Sequence, residues 1–137
     1  MAFPKTQHCL LCEDVRIERT RLSTVIGLYG VCPNVDILLQ EIGRQVERLT
    51  FFIFGGKGSG TFTFAFQVLK PDGAILIQTP SDSLTIKDAK RRSNLVITIG
   101  PVKFESPGTY KINLLVDGLV EFSTSFEVLV GQPEDFE

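Results

Sequence analysis

The chain has no tryptophan, a single histidine, a single methionine and three cysteines in 137 residues. Hydrolysis through a nucleophile–base–acid triad normally needs a histidine base, and His8 is the only one, close to the start of the sequence. An odd number of cysteines argues against a small secreted domain stapled by disulfides. No apolar run approaches the roughly 18 residues of a membrane-spanning helix. The opening Met1–His8 lacks the basic stretch followed by an apolar stretch that marks a secretory signal. Excess positive charge is missing too: the net charge is −2 and the isoelectric point about 5.4. That balance supplies no overall field to draw nucleic acid or an anionic membrane. The expectation is a cytoplasmic chain with free thiols and with neither nucleic acid nor membrane as partner.

Apolar residues and phenylalanine are plentiful. Hydrophobic residues make up 43% of the chain and eleven are Phe, so phenylalanine fills much of any core. A domain of this size buries roughly 65–70% of its unfolded surface, and residues 1–137 are read as a single domain.

The dominant periodicity is two. Phe62, Phe64 and Phe66 alternate with Thr61, Thr63 and Ala65, which places the rings on one face of a strand. Pro71-Asp72-Gly73 precedes Ile75 and Ile77 and reads as a hairpin turn, with proline presetting one dihedral and glycine taking the positive one. Asp117-Gly118 between Tyr110–Val116 and Leu119–Val130 is a strong hairpin signal. Strands are expected near 8–18, 22–30, 35–39, 48–55, 60–70, 74–79, 93–104, 109–117 and 119–130. About nine short strands with frequent turns predict an all-β, two-sheet antiparallel sandwich.

Over Asp36–Leu49 two periods compete. Leu38, Ile42, Val46 and Leu49 fit a helical stripe, whereas Val35, Ile37 and Leu39 fit a strand. A strand followed by an irregular connection is the favoured of the two. Phe51-Phe52-Ile53-Phe54 and Ile112–Val116 are apolar on both faces. A half-solvated sheet should alternate, so these strands are either covered twice or meet another subunit, and a homodimer is a candidate state.

The stretch Ser106-Pro107-Gly108-Thr109-Tyr110-Lys111-Ile112 puts a tight turn before a strand and a tyrosine two residues past the glycine. It resembles the tyrosine corner of immunoglobulin-like sandwiches, in which the hydroxyl bonds back to the turn backbone. Ile112 stands where a true immunoglobulin domain carries its second disulfide cysteine. At the other end, Cys12-Glu13-Asp14-Val15-Arg16 followed by Leu22-Ser23-Thr24-Val25-Ile26-Gly27-Leu28-Tyr29-Gly30 resembles the opening of a family of small bacterial all-β proteins of unknown function. That resemblance implies no activity and carries over no site residue.

Candidate chemistry is sparse. His8, Cys9, Cys12 and Cys32 are the only soft-ligand cluster. Cys9-x-x-Cys12 lies in a strand-like run, where residues three apart face opposite sides. These read as structural thiols, with zinc binding and redox chemistry as the alternatives. Gly55-Gly56-Lys57-Gly58-Ser59-Gly60 has the wrong spacing for a phosphate-binding loop and leads into a strand, so it reads as a flexible hairpin loop. Asp14, Glu18, Asp36, Glu41 and Glu47 form no paired-carboxylate motif. Lys87-Asp88-Ala89-Lys90-Arg91-Arg92 is the one basic cluster, read as a solvated loop with anion binding as the alternative. The acidic tail Pro133–Glu137 reads as a frayed terminus. No catalytic, cofactor-binding or metal-binding residue is assigned and no cofactor is expected. The expected role is a non-enzymatic protein-binding or assembly module. The alternative is a small-molecule or carbohydrate-binding domain. Candidate surfaces are the 55–60 loop, the 80–92 loop and an uncovered apolar sheet face.

Overall fold

Alternation of large apolar and small polar residues, punctuated by turns, gives strands throughout. The computed structural model describes residues 3–18, 23–87 and 90–131, and these form twelve strands. They are β1 (Thr6–Ile17), β2 (Ser23–Val31), β3 (Asp36–Leu39), β4 (Gln45–Val46), β5 (Leu49–Lys57) and β6 (Gly60–Leu69). They continue with β7 (Ile75–Gln78), β8 (Asp82–Ile86), β9 (Arg92–Ile99), β10 (Val102–Lys103), β11 (Gly108–Val116) and β12 (Leu119–Val130).

One sheet has four strands in the order β2-β1-β5-β9, all neighbours antiparallel. The other runs β3-β12-β11-β6-β7, with β8 also paired to β6. Thr79 bridges the gap between β7 and β8: its N–H donates to the Phe66 carbonyl at 2.9 Å, and its Oγ1 accepts from the Phe66 N–H at 2.8 Å. Among the described residues only β3 joins its neighbour in parallel, against β12. The architecture is the expected all-β sandwich, of the immunoglobulin-like kind.

The inner faces supply the core. From the first sheet come Cys9, Leu11, Leu49, Phe51, Ile53, Ile97 and Ile99. From the second come Phe62, Phe66, Val68, Ile112, Leu114, Val116, Phe126 and Val128. Phe51 meets Phe66 across the gap with ring centres 4.6 Å apart, and Tyr110 stacks on Phe126 at 5.6 Å. Such pairs add about 0.5–1.5 kcal/mol each beyond the area they bury.

Both predicted hairpins form. The Lys70 N–H donates to the Ala74 carbonyl at 2.7 Å around Pro71-Asp72-Gly73. At the β11–β12 turn, Asp117 has φ 50° and Gly118 φ 82°. A two-residue hairpin that matches strand twist needs positive φ at both central positions, which Asp tolerates and Gly adopts freely. Asp117 is held there by β6, since its Oδ1 accepts from the Thr63 N–H at 2.9 Å and the Thr63 hydroxyl at 3.0 Å. The tyrosine corner is present: the Tyr110 hydroxyl donates to the Ser106 carbonyl at 2.7 Å.

Two expectations need correction, and the open choice over 36–49 is decided. The helical stripe over 36–49 does not exist: β3 ends at Leu39, Gly43 turns the chain at φ 82°, and Leu38 and Ile42 are exposed while Leu49 is buried. This agrees with the favoured strand-plus-connection reading and adds β4. The expected strand 93–104 is two strands, because the chain turns at Gly100-Pro101 and β10 leaves to pair with β4; proline has no N–H for a ladder. The 80–92 segment is not all loop, since β8 occupies its first half.

The corner gives a stability test. Tyr110→Phe removes one hydrogen bond from a buried ring and leaves the Ser106 carbonyl short of a donor. A loss of roughly 1–2 kcal/mol is expected, read in urea as a lower midpoint with an unchanged slope.

Candidate functional site

The two outer faces differ in character. Register sets which residues share a face, because directly opposed residues on antiparallel strands project to the same side. On the six-stranded sheet the outer face is mainly polar. Asn113 Nδ2 donates to Gln67 Oε1 at 3.2 Å, and Gln67 Nε2 donates to Gln78 Oε1 at 3.0 Å. Thr61 and Thr85 share a hydroxyl contact on that face at 3.2 Å, and Lys111 pairs with Ser125. The apolar look of Ile112–Val116 therefore does not extend outward as a continuous surface. Ile112, Leu114 and Val116 face the core, while Asn113 and Leu115 face out.

The outer face of the four-stranded sheet is apolar across its full width. Val31 opposes Leu10, Leu10 opposes Phe52, and Phe52 opposes Val96. These four residues, one from each strand, form a single row. Beside it, Leu28 opposes Cys12 and Ile26 opposes Asp14. Phe52 and Cys12 are buried within the face, with the Phe54 ring 4.4 Å from Phe52. The surrounding side chains stay open to solvent: Leu28 is 57% exposed, Val31 44%, Val96 40% and Ile26 39%. A polar rim closes each end. At one end Arg48 donates to Asp14 at 2.9 Å, and at the other lie His8, Asn94 and Arg92. In the middle, Thr50 Oγ1 donates to the Glu13 carbonyl at 2.9 Å and contacts Thr98 Oγ1 at 3.0 Å.

The sandwich is closed on one side and open on the other. On the closed side the chain passes from β2 through Cys32-Pro33-Asn34-Val35 into β3. On the open side, β8 and β9 are sheet edges not paired with each other. Between them lies a cleft of about 260 Å³, whose lining includes Phe3, Ile53, Leu84, Ile86 and Leu95 together with Arg91, Ser93 and Asn94.

The sequence-chosen residues are scattered. His8 is exposed on the outer face, opposite Phe54. Cys9 and Cys12 are buried on opposite faces of β1, as the strand period requires. Burial first, and the nearby Asp14 carboxylate second, push the Cys12 thiol up. Among the described residues no group of three His, Cys, Asp or Glu side chains is placed to hold a metal ion. Cys9 instead neighbours Cys32, a juxtaposition that the spacing of the cysteines does not announce. The carboxylates Asp36, Glu41 and Glu47 are exposed, and Asp14 is engaged by Arg48. Lys87 follows β8, whereas Lys90, Arg91 and Arg92 lead into β9; Asp88, Ala89 and the 133–137 tail lie outside the described residues. The 55–60 segment is not a hairpin loop. It carries the chain from the end of β5 in one sheet to β6 in the other. Gly55 is a buried strand residue whose added Cβ would lie 2.8 Å from the Ser93 carbonyl oxygen and 3.3 Å from Pro4 Cβ. Close approach of backbone is what that glycine provides.

The matching family model spans residues 7–129 and describes a family of unknown function, DUF6941. The chain belongs to this family. No curated protein matches it. Two solved structures show a weak similarity. An immunoglobulin-like protein from Pseudomonas aeruginosa is 12% identical, covers 86% of this chain and 95% of its own, and has a TM-score of 0.36. An alkylpurine DNA glycosylase from Pseudomonas fluorescens, bound to DNA containing an abasic site analogue, is 15% identical with a TM-score of 0.41. The match covers 71% of this chain but only 28% of the glycosylase. Likenesses of this grade say nothing of what a DUF6941 protein does. No helix among the described residues is long and apolar enough to cross a membrane.

Gly55→Ala tests how tightly β5 and β9 meet beside the cleft. The added methyl must displace the Ser93 backbone, so a loss of roughly 1–3 kcal/mol is expected from overpacking. Thermal unfolding monitored by circular dichroism measures it; an unchanged midpoint would mean that the strands can separate freely there.

Proposed function

We propose that this DUF6941 protein is a non-enzymatic binding module that contacts protein through the outer face of its four-stranded sheet. The observation that carries the reading is the exposed apolar set Leu28, Val31, Val96 and Ile26, standing around the buried Phe52 on one sheet face. Apolar surface with a polar rim is typical of interaction sites; on the opposite outer face the apolar row is shorter, Val120, Leu115 and Ala65, among mainly polar neighbours. Edge strand β2 adds to it, because an unpaired strand edge can accept a further strand. The first partner to test is a second copy of the chain, as one self-complementary patch suffices for a two-fold dimer.

A second reading rests on the cleft between β8 and β9. Its lining of apolar side chains with a few polar groups suits a small ligand, and such a ligand would appear as added mass on the native protein.

Sedimentation velocity at tens of micromolar separates the outcomes. The wild-type chain is expected to sediment as a dimer and Leu28→Asp as a monomer. Leu119→Asp, at the 74% exposed tip of the β11–β12 turn on the other sheet, should leave the dimer intact. A monomeric wild type, or a dimer indifferent to Leu28→Asp, removes self-association through this face.

A further inference from the structure

Cys9 and Cys32 lie 23 positions apart in sequence but adjacent in the fold. Leu10 opposes Val31 in the β1–β2 ladder, so the next pair outward is Cys9 and Cys32. The Cys32 N–H donates to the Cys9 carbonyl at 2.9 Å, one of the two bonds of a hydrogen-bonded antiparallel pair, so the ladder continues one residue past β2. Opposed residues of that kind have Cα atoms about 5.5 Å apart, within the roughly 4.4–6.8 Å that a disulfide bridges. Both side chains face inward: Cys9 belongs to the core and Cys32 packs against its margin. Cys9 is 1% exposed, whereas Cys32 keeps partial access to solvent.

We propose that Cys9 and Cys32 form a reversible oxidation site whose co-substrate is a hydroperoxide. Cys32, the accessible partner, attacks the peroxide oxygen. The O–O bond breaks, an alcohol or water leaves with a proton, and Cys32 becomes a sulfenic acid while the peroxide is reduced by two electrons. The Cys9 sulfur then attacks the Cys32 sulfur. The S–S bond forms, the S–O bond breaks, and the hydroxide departs as water with the Cys9 proton. Two thiols and one hydroperoxide thus give one disulfide, one alcohol and one water. The side-chain hydrogen bond between the two thiols supports this division of labour: it raises Cys9, with burial adding to the effect, and lowers Cys32 against its own burial. A lowered, partly exposed thiol beside a resolving cysteine is the pattern of oxidant-sensitive sites. Cys12 takes no part, since it lies on the other face of β1 with its Sγ directed at the Thr50 carbonyl, 3.6 Å away.

The bridge would tie β1 to the turn that carries the chain from one sheet to the other. Oxidation should therefore raise the thermal midpoint by several degrees. The test treats the full chain with hydrogen peroxide and reads its intact mass under non-reducing conditions. The expected result is a loss of about 2 Da, a Cys9–Cys32 cross-linked peptide, and reversal by dithiothreitol. Cys12→Ser should retain the loss and Cys32→Ser should abolish it. Cys9→Ser should leave a sulfenic acid on Cys32 that dimedone captures, and circular dichroism on each variant reports whether it has folded. A bridge to Cys12, a mass loss that survives Cys32→Ser, or direct gain of two oxygens on Cys32 with no disulfide would overturn the proposal.

Discussion

Five rings hold the two sheets at one separation: Phe51 on β5, Phe66 on β6, Tyr110 on β11, Phe126 on β12 and Phe104 in the connection after β10. Phe104 meets Tyr110 edge-on at 5.0 Å and Phe126 at 6.0 Å, and Phe126 reaches across to Phe51 at 6.4 Å. All five are essentially inaccessible to water. Without tryptophan, phenylalanine supplies the bulk of the core, and the one ring with a hydroxyl needs a partner when buried. Tyr110 finds it at the Ser106 carbonyl. The corner therefore satisfies a polar atom in the core and fixes where β11 begins.

With the inner faces committed to this cluster, the protein's surface chemistry falls to the outer faces, edges and connections. There the two sheets diverge. The six-stranded sheet carries an amide ladder of Asn113, Gln67 and Gln78 that water can share. The four-stranded sheet carries Phe52, Leu10, Val31 and Val96 in one row. Phe52 is already covered by its neighbours, so a partner would cover the exposed Val31, Val96, Leu28 and Ile26, which releases roughly 25 cal/mol per Å² of apolar surface. The asymmetry is what the proposed binding role uses.

Much of the fold could be read from local signals. Asp117-Gly118, Pro71-Asp72-Gly73 and the tyrosine corner each prescribe a backbone conformation within a few residues, so the structure reproduces them. β8 was hidden because Asp82-Ser83-Leu84-Thr85-Ile86 is short and polar on one side, and its pairing with the Gly60–Phe64 half of β6 is a long-range event. The Gly55–Gly60 segment misled for a related reason. Glycine is equally at home in a loop and in a strand where another backbone approaches, and only the position of Ser93 distinguishes the two.

By itself, the sequence determined the class of fold, its main turns, its phenylalanine core and the two-sided apolarity of Phe51–Phe54. Those features depend on alternation and turn chemistry, which act between near neighbours in the chain. The tertiary structure alone decided which apolar face remains open, that Cys9 meets Cys32 and not Cys12, and that a cleft lies between β8 and β9. Each of these depends on which strands become neighbours. Strand order and register are set by the packing of distant segments into a shared core, and no local stretch of this chain encodes them.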